Sequence, residues 1–355
     1  MKRSLNIKEM EVQAIREKWL DQAASTIRLH SPGLLLVSLL AVLSIFIQKL
    51  PGLTFFTPLI IAIVLGVLIR NTIGMAQKFQ PGIKFSLKRV LRLAIVLLGL
   101  QISLSQMIAV GTLGLSIILI TVISTLAFTL WLGQRLGIPP KLVQLIAAGT
   151  SICGASAVIA SNTVVEDSEE NVAYAVAMVT AFGTAAMLFY PPLSGFLHLS
   201  PQTYGIWCGA SIHEVAQVVA TAFQRDSVSG ELATVTKLSR VMLLAPTVLG
   251  LSVLSLGGSR SSQRLSWNQL PIPWFAFYFI LLIGINSLNV LPTGLKEITL
   301  QVSQFLLTMA MAAMGLETHL KKLSRAGLKP LYLAAAVWLF IATLSLLLIK
   351  LFLPY

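Results

Sequence analysis

The chain has 355 residues, of which 56% are hydrophobic and 11% charged; a soluble domain carries roughly a quarter charged residues. That balance excludes a soluble globular enzyme, and the apolar content excludes a disordered chain. The net charge of +13 then reads as Lys and Arg gathered in cytoplasmic loops of a membrane protein, with no nucleic-acid partner.

Residues 1–31 mix Lys2, Arg3, Lys8, Arg16, Lys18 and Arg28 with Glu9, Glu11, Glu17 and Asp21. Ile7, Met10, Ile15, Trp19, Leu20 and Ala23 recur near helical spacing. The segment reads as a cytoplasmic amphipathic helix on the membrane surface, or equally as a solvated helix. It lacks an apolar stretch behind a basic start, so no cleavable signal is expected. Residues 32–355 read as one transmembrane domain, in contact with lipid.

Eleven apolar stretches follow, at 33–50, 53–70, 90–108, 112–134, 141–163, 171–190, 204–224, 238–256, 272–288, 299–317 and 329–352. Each approaches the ~20 residues that cross a bilayer. Turn residues punctuate them, among them Pro51-Gly52, Pro81-Gly82, Pro139-Pro140, Pro191-Pro192 and Gly257-Gly258. The fold class expected is therefore all-α polytopic, with about ten or eleven spans.

With the N-terminus inside and every stretch crossing once, twenty of the 26 Lys and Arg residues fall in cytoplasmic segments. They cluster in the tail, at 70–92 (Arg70, Lys78, Lys84, Lys88, Arg89, Arg92), at Arg135 and Lys141, at Arg260 and Arg264, and at 321–329. Only Lys49, Arg225, Lys237, Arg240, Lys296 and Lys350 fall outside, a strong positive-inside asymmetry. This count places the acidic run Glu166-Asp167-Ser168-Glu169-Glu170 outside, where Asp167 or Ser168 can cap the next helix.

Two self-similarities stand out. Gly149-Thr150-Ser151-Ile152 recurs sixty residues later as Gly209-Ala210-Ser211-Ile212. Gly99-Leu100 with Leu104 and Gly111 recurs as Gly315-Leu316 with Leu320 and Gly327, on spans of opposite direction, as in inverted-repeat transporters. The first pair lies on the fifth and seventh stretches, which run the same way in a simple serpentine. Either it is no inverted repeat, or a segment is re-entrant.

Three constellations can carry chemistry. In the fifth stretch, Gly149, Thr150, Ser151, Gly154 and Ser156 weaken a helix. A break there would expose N–H groups and hydroxyls suited to an anion; the other reading is close helix packing by small residues. In the seventh, Gly209, Ser211, His213 and Gln217 surround Glu214, the one carboxylate placed deep in a span, where charge is costly and marks function. On a continuous helix Ser211, Glu214 and Gln217 share a face; alternatively, Ser211-x-x-Glu214 is a capping box that starts a half-helix. At the head of the eighth stretch, Lys237 and Arg240 are three apart and suit an oxyanion, or else snorkel to the interface.

Enzyme signatures are poor. His30, His198, His213 and His319 show no metal-ligand spacing, there is no phosphate-binding loop, and Cys153 and Cys208 lie in apolar segments without an evident base. No cofactor or metal is expected.

The motifs Gly149–Ala157 and Gly209–Val219, with Leu91–Gly99, Lys237–Val241 and Met309–Leu316, resemble the YeiH-type family assigned to sulfate export, over essentially all of residues 33–352. The resemblance implies a bacterial inner-membrane carrier for a small anion. Its fold would be similar to the bile-acid and auxin carriers, with broken helices crossing near the midplane. The function expected is a secondary transporter exporting a small oxyanion such as sulfate, driven by a proton or sodium gradient. Gly149, Thr150, Ser151, Gly154, Ser156, Gly209, Ser211, Lys237 and Arg240 would hold substrate; His213, Glu214 and Gln217 would couple the ion. The alternatives are an anion channel and an integral-membrane enzyme or sensor component. A homodimer is compatible with this reading.

Overall fold

The computed structural model describes residues 25–26, 28–51, 56–102, 104–256, 273–288, 291–318 and 328–353. The amphipathic segment expected at 1–31 lies almost wholly outside them, as do the loops carrying Arg260, Arg264, Lys321, Lys322 and Arg325, and also His319, Leu320 and Gly327. Among the described residues every regular element is helical, so the chain is an all-α polytopic membrane protein. Six helices among the described residues are long and apolar enough to cross a bilayer by themselves.

In chain order, α1 is Arg28–Gln48 and α2 is Pro58–Thr72. Helix α3 covers 80–98, with Gln80–Phe85 and Leu91–Leu98 α-helical around a π-helical segment, Ser86–Val90. Next come α4, Leu104–Arg135, α5, Pro140–Ser151, and α6, Ala155–Val165. They are followed by α7, Glu169–Phe196, α8, Pro201–Ser211, and α9, Val215–Phe223. The rest are α10, Ser227–Met242, α11, Leu244–Leu256, α12, Trp274–Ser287, α13, Thr293–Glu317, and α14, Leu328–Phe352.

Several starts follow from local chemistry. The Ser168 hydroxyl caps α7 by accepting from the Asn171 N–H at 3.2 Å, with Glu169 and Glu170 at the positive end of the helix. Ser200 caps α8 through the Thr203 N–H, and Asp226 caps α10 through the Ser229 N–H at 2.7 Å. Pro140 and Pro201 open α5 and α8, where a missing N–H costs nothing.

Three boundaries differ from the sequence expectation. The turn between the third and fourth stretches begins at 99, α4 starts at Leu104, and Gly111 lies inside α4. At the turn, a side chain on Gly99 would meet the Phe279 carbonyl at 2.5 Å, so α12 packs where the helix ends. Pro191 and Pro192 lie inside α7, which membrane helices tolerate when neighbours satisfy the freed groups. Helix α10 starts at Ser227, so Lys237 sits ten residues into a helix, about 15 Å along it at 1.5 Å per residue, and not at an interface.

The fifth and seventh stretches are both interrupted, at 152–154 and 212–214. In each, the two halves fold back beside one another. Lys141, at the start of α5, donates to the Glu166 carbonyl just past the end of α6, at 2.9 Å. Arg225, just past α9, donates to the Leu199 carbonyl just before α8, at 2.6 Å. The hydroxyl of Tyr204 in α8 also reaches the Thr221 carbonyl in α9. Both stretches are therefore re-entrant hairpins. Their half-helices of 9 to 12 residues reach about 14–18 Å, half of a ~30 Å hydrocarbon core.

Helix α7 joins the two hairpin mouths. At 28 residues it is about 42 Å long, so the hairpins enter from opposite ends and their tips meet beside its middle. This geometry settles the sixty-residue repeat: Ser151 and Ser211 end the first halves, and Ala155 and Val215 begin the second. It also corrects the placement of the acidic run. Glu166 lies at the same end as Lys141, not opposite it.

Around the hairpins, α4 and α14 pack against α5 and α8, and the Trp207 indole donates to the Ala342 carbonyl. A second group forms from α1, α2, α3, α12 and α13. Its backbones cross closely where Gly33 meets Gly82 and Gly66 meets Gly315, leaving no room for a side chain at either.

Candidate functional site

Hairpin tips at mid-depth leave backbone groups without helical partners, and hydrocarbon offers none. The structure satisfies the carbonyls with two fully buried cations from α10. Lys237 donates to the Ile152 carbonyl at 2.6 Å and the Ile212 carbonyl at 2.8 Å. Arg240 donates through Nη2 to the Thr150 and Ser151 carbonyls, through Nε to Ser151, and through Nη1 to Gly209 and Ile212, over 2.7–3.3 Å. All five guanidinium donors are used. Two half-helix C-termini, each bearing about half a negative charge, converge on this pair. Gly209 allows the approach: a side chain there would meet Ala233 and Thr236 of α10.

The N-terminus of α6 meets a carboxylate. Gly154 precedes it at φ 72 and ψ −134, a conformation that suits glycine, and a Cβ there would lie 2.5 Å from Glu214 Cγ. The Glu214 carboxylate accepts from the Thr180 hydroxyl of α7 at 2.8 Å and lies beside the Ala155 N–H at the start of α6. Gln217 holds the second tip against α7, donating to the Thr180 carbonyl at 3.0 Å and to the Thr184 hydroxyl at 3.3 Å, while its Oε1 accepts from the Glu214 N–H. Gly183 makes the room for that amide.

The break changes how the seventh-stretch residues relate. Ser211, Glu214 and Gln217 do not share a helical face, because α8 ends at Ser211 and α9 begins at Val215. The capping pair is Glu214 with Gln217, and Ser211 has no part in it. The Ser211 hydroxyl instead donates to the Trp207 carbonyl and accepts from Tyr190, whose ring stacks on Trp207 at 3.9 Å. His213 is 1% exposed and its Nδ1 has no hydrogen-bond partner; the Ser151 hydroxyl is likewise buried and unpartnered.

A cavity of about 1600 Å³ runs up to these tips. Cys153, Ala155, Ser156, Thr180, Thr184 and Glu214 line its inner part, and Arg70, Lys84, Lys88, Arg89, Arg92 and Glu317 also line it. Of the residues expected to hold substrate, Ser156 reaches this space. Gly149, Thr150, Ser151, Gly154, Gly209, Ser211, Lys237 and Arg240 build the tips from behind, as do His213 and Gln217. The sequence reading missed Thr180 and Thr184 on α7, a hydroxyl pair at i,i+4 in an apolar helix. It also placed the α3 cations in a loop, although Lys84, Lys88 and Arg92 recur every fourth residue.

Comparisons with known proteins place the chain among membrane proteins. Residues 32–334 match the family described as Conserved hypothetical protein 698. The UPF0324 inner membrane protein YeiH of Escherichia coli K12 is 37% identical over 321 residues, 87% of this chain and 91% of that one. A UPF0324 membrane protein of Pseudomonas aeruginosa is 40% identical over 319 residues (86% and 90%), and one of Yersinia pestis is 39% identical over 331 (88% and 90%). With its membrane helices and near full-length similarity to these proteins, the chain belongs to the UPF0324 family of membrane proteins.

Proposed function

We propose that the protein is a secondary carrier for a small oxyanion, of which sulfate is the first to test, in the bacterial inner membrane where the E. coli relative is named. The observation that supports it most is the meeting of two opposed re-entrant hairpins at mid-depth, at the head of a cavity whose lining includes Arg70, Lys84, Lys88, Arg89 and Arg92. Interrupted segments at the midplane put binding groups where alternating access needs them. Substrate approaches Ser156 and the N-terminus of α6, beside Thr180 and Thr184. Gly149, Thr150, Ser151, Gly154, Gly209 and Ser211 shape the tips, and Lys237 and Arg240 lend positive charge through them. Glu214, with His213 and Gln217, couples transport to a proton or sodium ion. In this reading the N-terminus and the cationic end of the cavity face the cytoplasm. The hairpin group moves against the α2, α3, α12 and α13 group to expose the tips alternately.

Radiolabelled sulfate flux into proteoliposomes tests it. A carrier gives saturable flux that responds to an imposed ion gradient, and Glu214→Gln loses that response. Flux that neither saturates nor responds points to a channel. No flux in folded protein removes sulfate and directs the assay to sulfite and sulfonates.

A further inference from the structure

A re-entrant tip makes two opposite electrostatic demands. The descending half-helix ends in unpaired carbonyls with partial negative charge, and the ascending half begins with free N–H groups. In transporters with interrupted helices, such C-terminal carbonyls coordinate the coupling cation. Here the Thr150, Ser151 and Ile152 carbonyls of one tip and those of Gly209 and Ile212 of the other already receive Lys237 or Arg240. Both side chains are 0% exposed. A sodium ion at these carbonyls would have to sit against two buried like charges and displace their hydrogen bonds.

The opposite pole differs. Of the charged side chains at the tips, Glu214 lines the cavity, whereas Lys237 and Arg240 do not. Its carboxylate accepts from the Thr180 hydroxyl of α7; Ala155 and Cys153 of the first hairpin and Lys237 of α10 stand near it, His213 adjoins it in sequence, and Gln217 bonds its backbone. A proton can reach and leave it through the cavity without disturbing the two pinned cations.

We infer that Lys237 and Arg240 are fixed substitutes for coupling sodium ions, and that the coupling ion is a proton carried by Glu214. The proton claim rests on the carrier reading above; the substitution claim stands on the tip geometry alone.

Two readouts keep these apart. The first is the melting temperature of purified protein in NaCl and in KCl at equal ionic strength. The wild-type curves coincide, and Lys237→Ala, which opens the Ile152 carbonyl and leaves that of Ile212 to Arg240 alone, melts lower in both salts but gains a sodium-specific rise. A sodium-specific rise in the wild type overturns the substitution, as does a folded Lys237→Ala protein indifferent to sodium. The second is sulfate flux in proteoliposomes with pH and sodium gradients imposed separately. Flux follows the pH gradient alone, and Glu214→Gln loses that dependence. Flux driven by sodium overturns the inference and leaves the carrier intact. Absence of saturable flux for sulfate, sulfite and sulfonates under either gradient overturns the carrier reading and the proton claim with it, while the melting curves still decide the substitution.

Discussion

At the scale of single residues, the tips depend on groups that cannot be exchanged for near neighbours. Gly154 combines a positive φ with the approach of Glu214 Cγ. Gly154→Ala therefore costs about 1–3 kcal/mol in backbone strain alone and displaces the carboxylate, read as a lower melting temperature. Arg240 supplies five hydrogen bonds to carbonyls of two different hairpins. A hydrogen bond to a charged group contributes about 1.5–3 kcal/mol, so Arg240→Ala fails to yield folded protein. Arg240→Lys keeps the charge, loses the fork and is intermediate on size exclusion. The sequence marked nearly all these residues, because glycines, hydroxyls and charges inside apolar stretches are conspicuous. It could not say which way they face. The ladder of carbonyl acceptors under Lys237 and Arg240 is made of backbone, and backbone acceptors carry no sequence signature.

At the scale of elements, the capped start of α7 was legible, since Asp167 and Ser168 are strong N-cap types followed by an apolar run, whereas the starts of α8 and α10 at the Ser200 and Asp226 caps lie ahead of the apolar stretches read at 204 and 238. The hairpins were legible only as interruptions. An apolar stretch of about 22 residues reads the same whether it crosses once or turns back halfway, because hydrophobicity reports the environment and not the direction of travel. What fixes direction is a pair of long-range contacts, Lys141 to Glu166 and Arg225 to Leu199. The same limit hid the α3 cations. A basic stripe at a span's edge reads as loop, yet Lys84, Lys88 and Arg92 stand along a helix wall of the cavity. In the carrier reading this wall gathers anions. The double substitution Lys88→Gln with Arg92→Gln raises the sulfate KM by about tenfold at low salt. It leaves kcat unchanged, and the effect shrinks as ionic strength rises. Loss of kcat with an unchanged KM would contradict that role.

At the scale of the molecule, two packed groups share one cavity. One is pinned by Lys237 and Arg240 and contains both hairpins; the other crosses at Gly33 with Gly82 and at Gly66 with Gly315. Gly315→Leu separates α2 from α13 and unfolds the second group, read as loss of the monodisperse peak on size exclusion. The all-α polytopic class was evident from composition and the spacing of the apolar stretches. The opposition of the two hairpins was not, because it depends on α7 crossing the bilayer between two mouths. That opposition is the central claim. Side-specific cysteine labelling in sealed vesicles tests it directly, with single reporters Lys141→Cys, Asp167→Cys, Ser200→Cys and Asp226→Cys in a background lacking Cys153 and Cys208. The account predicts that a membrane-impermeant maleimide reaches the first two from one face and the last two from the other. Labelling of Lys141→Cys and Asp167→Cys from opposite faces would show a crossing helix in place of the first hairpin and would contradict the account.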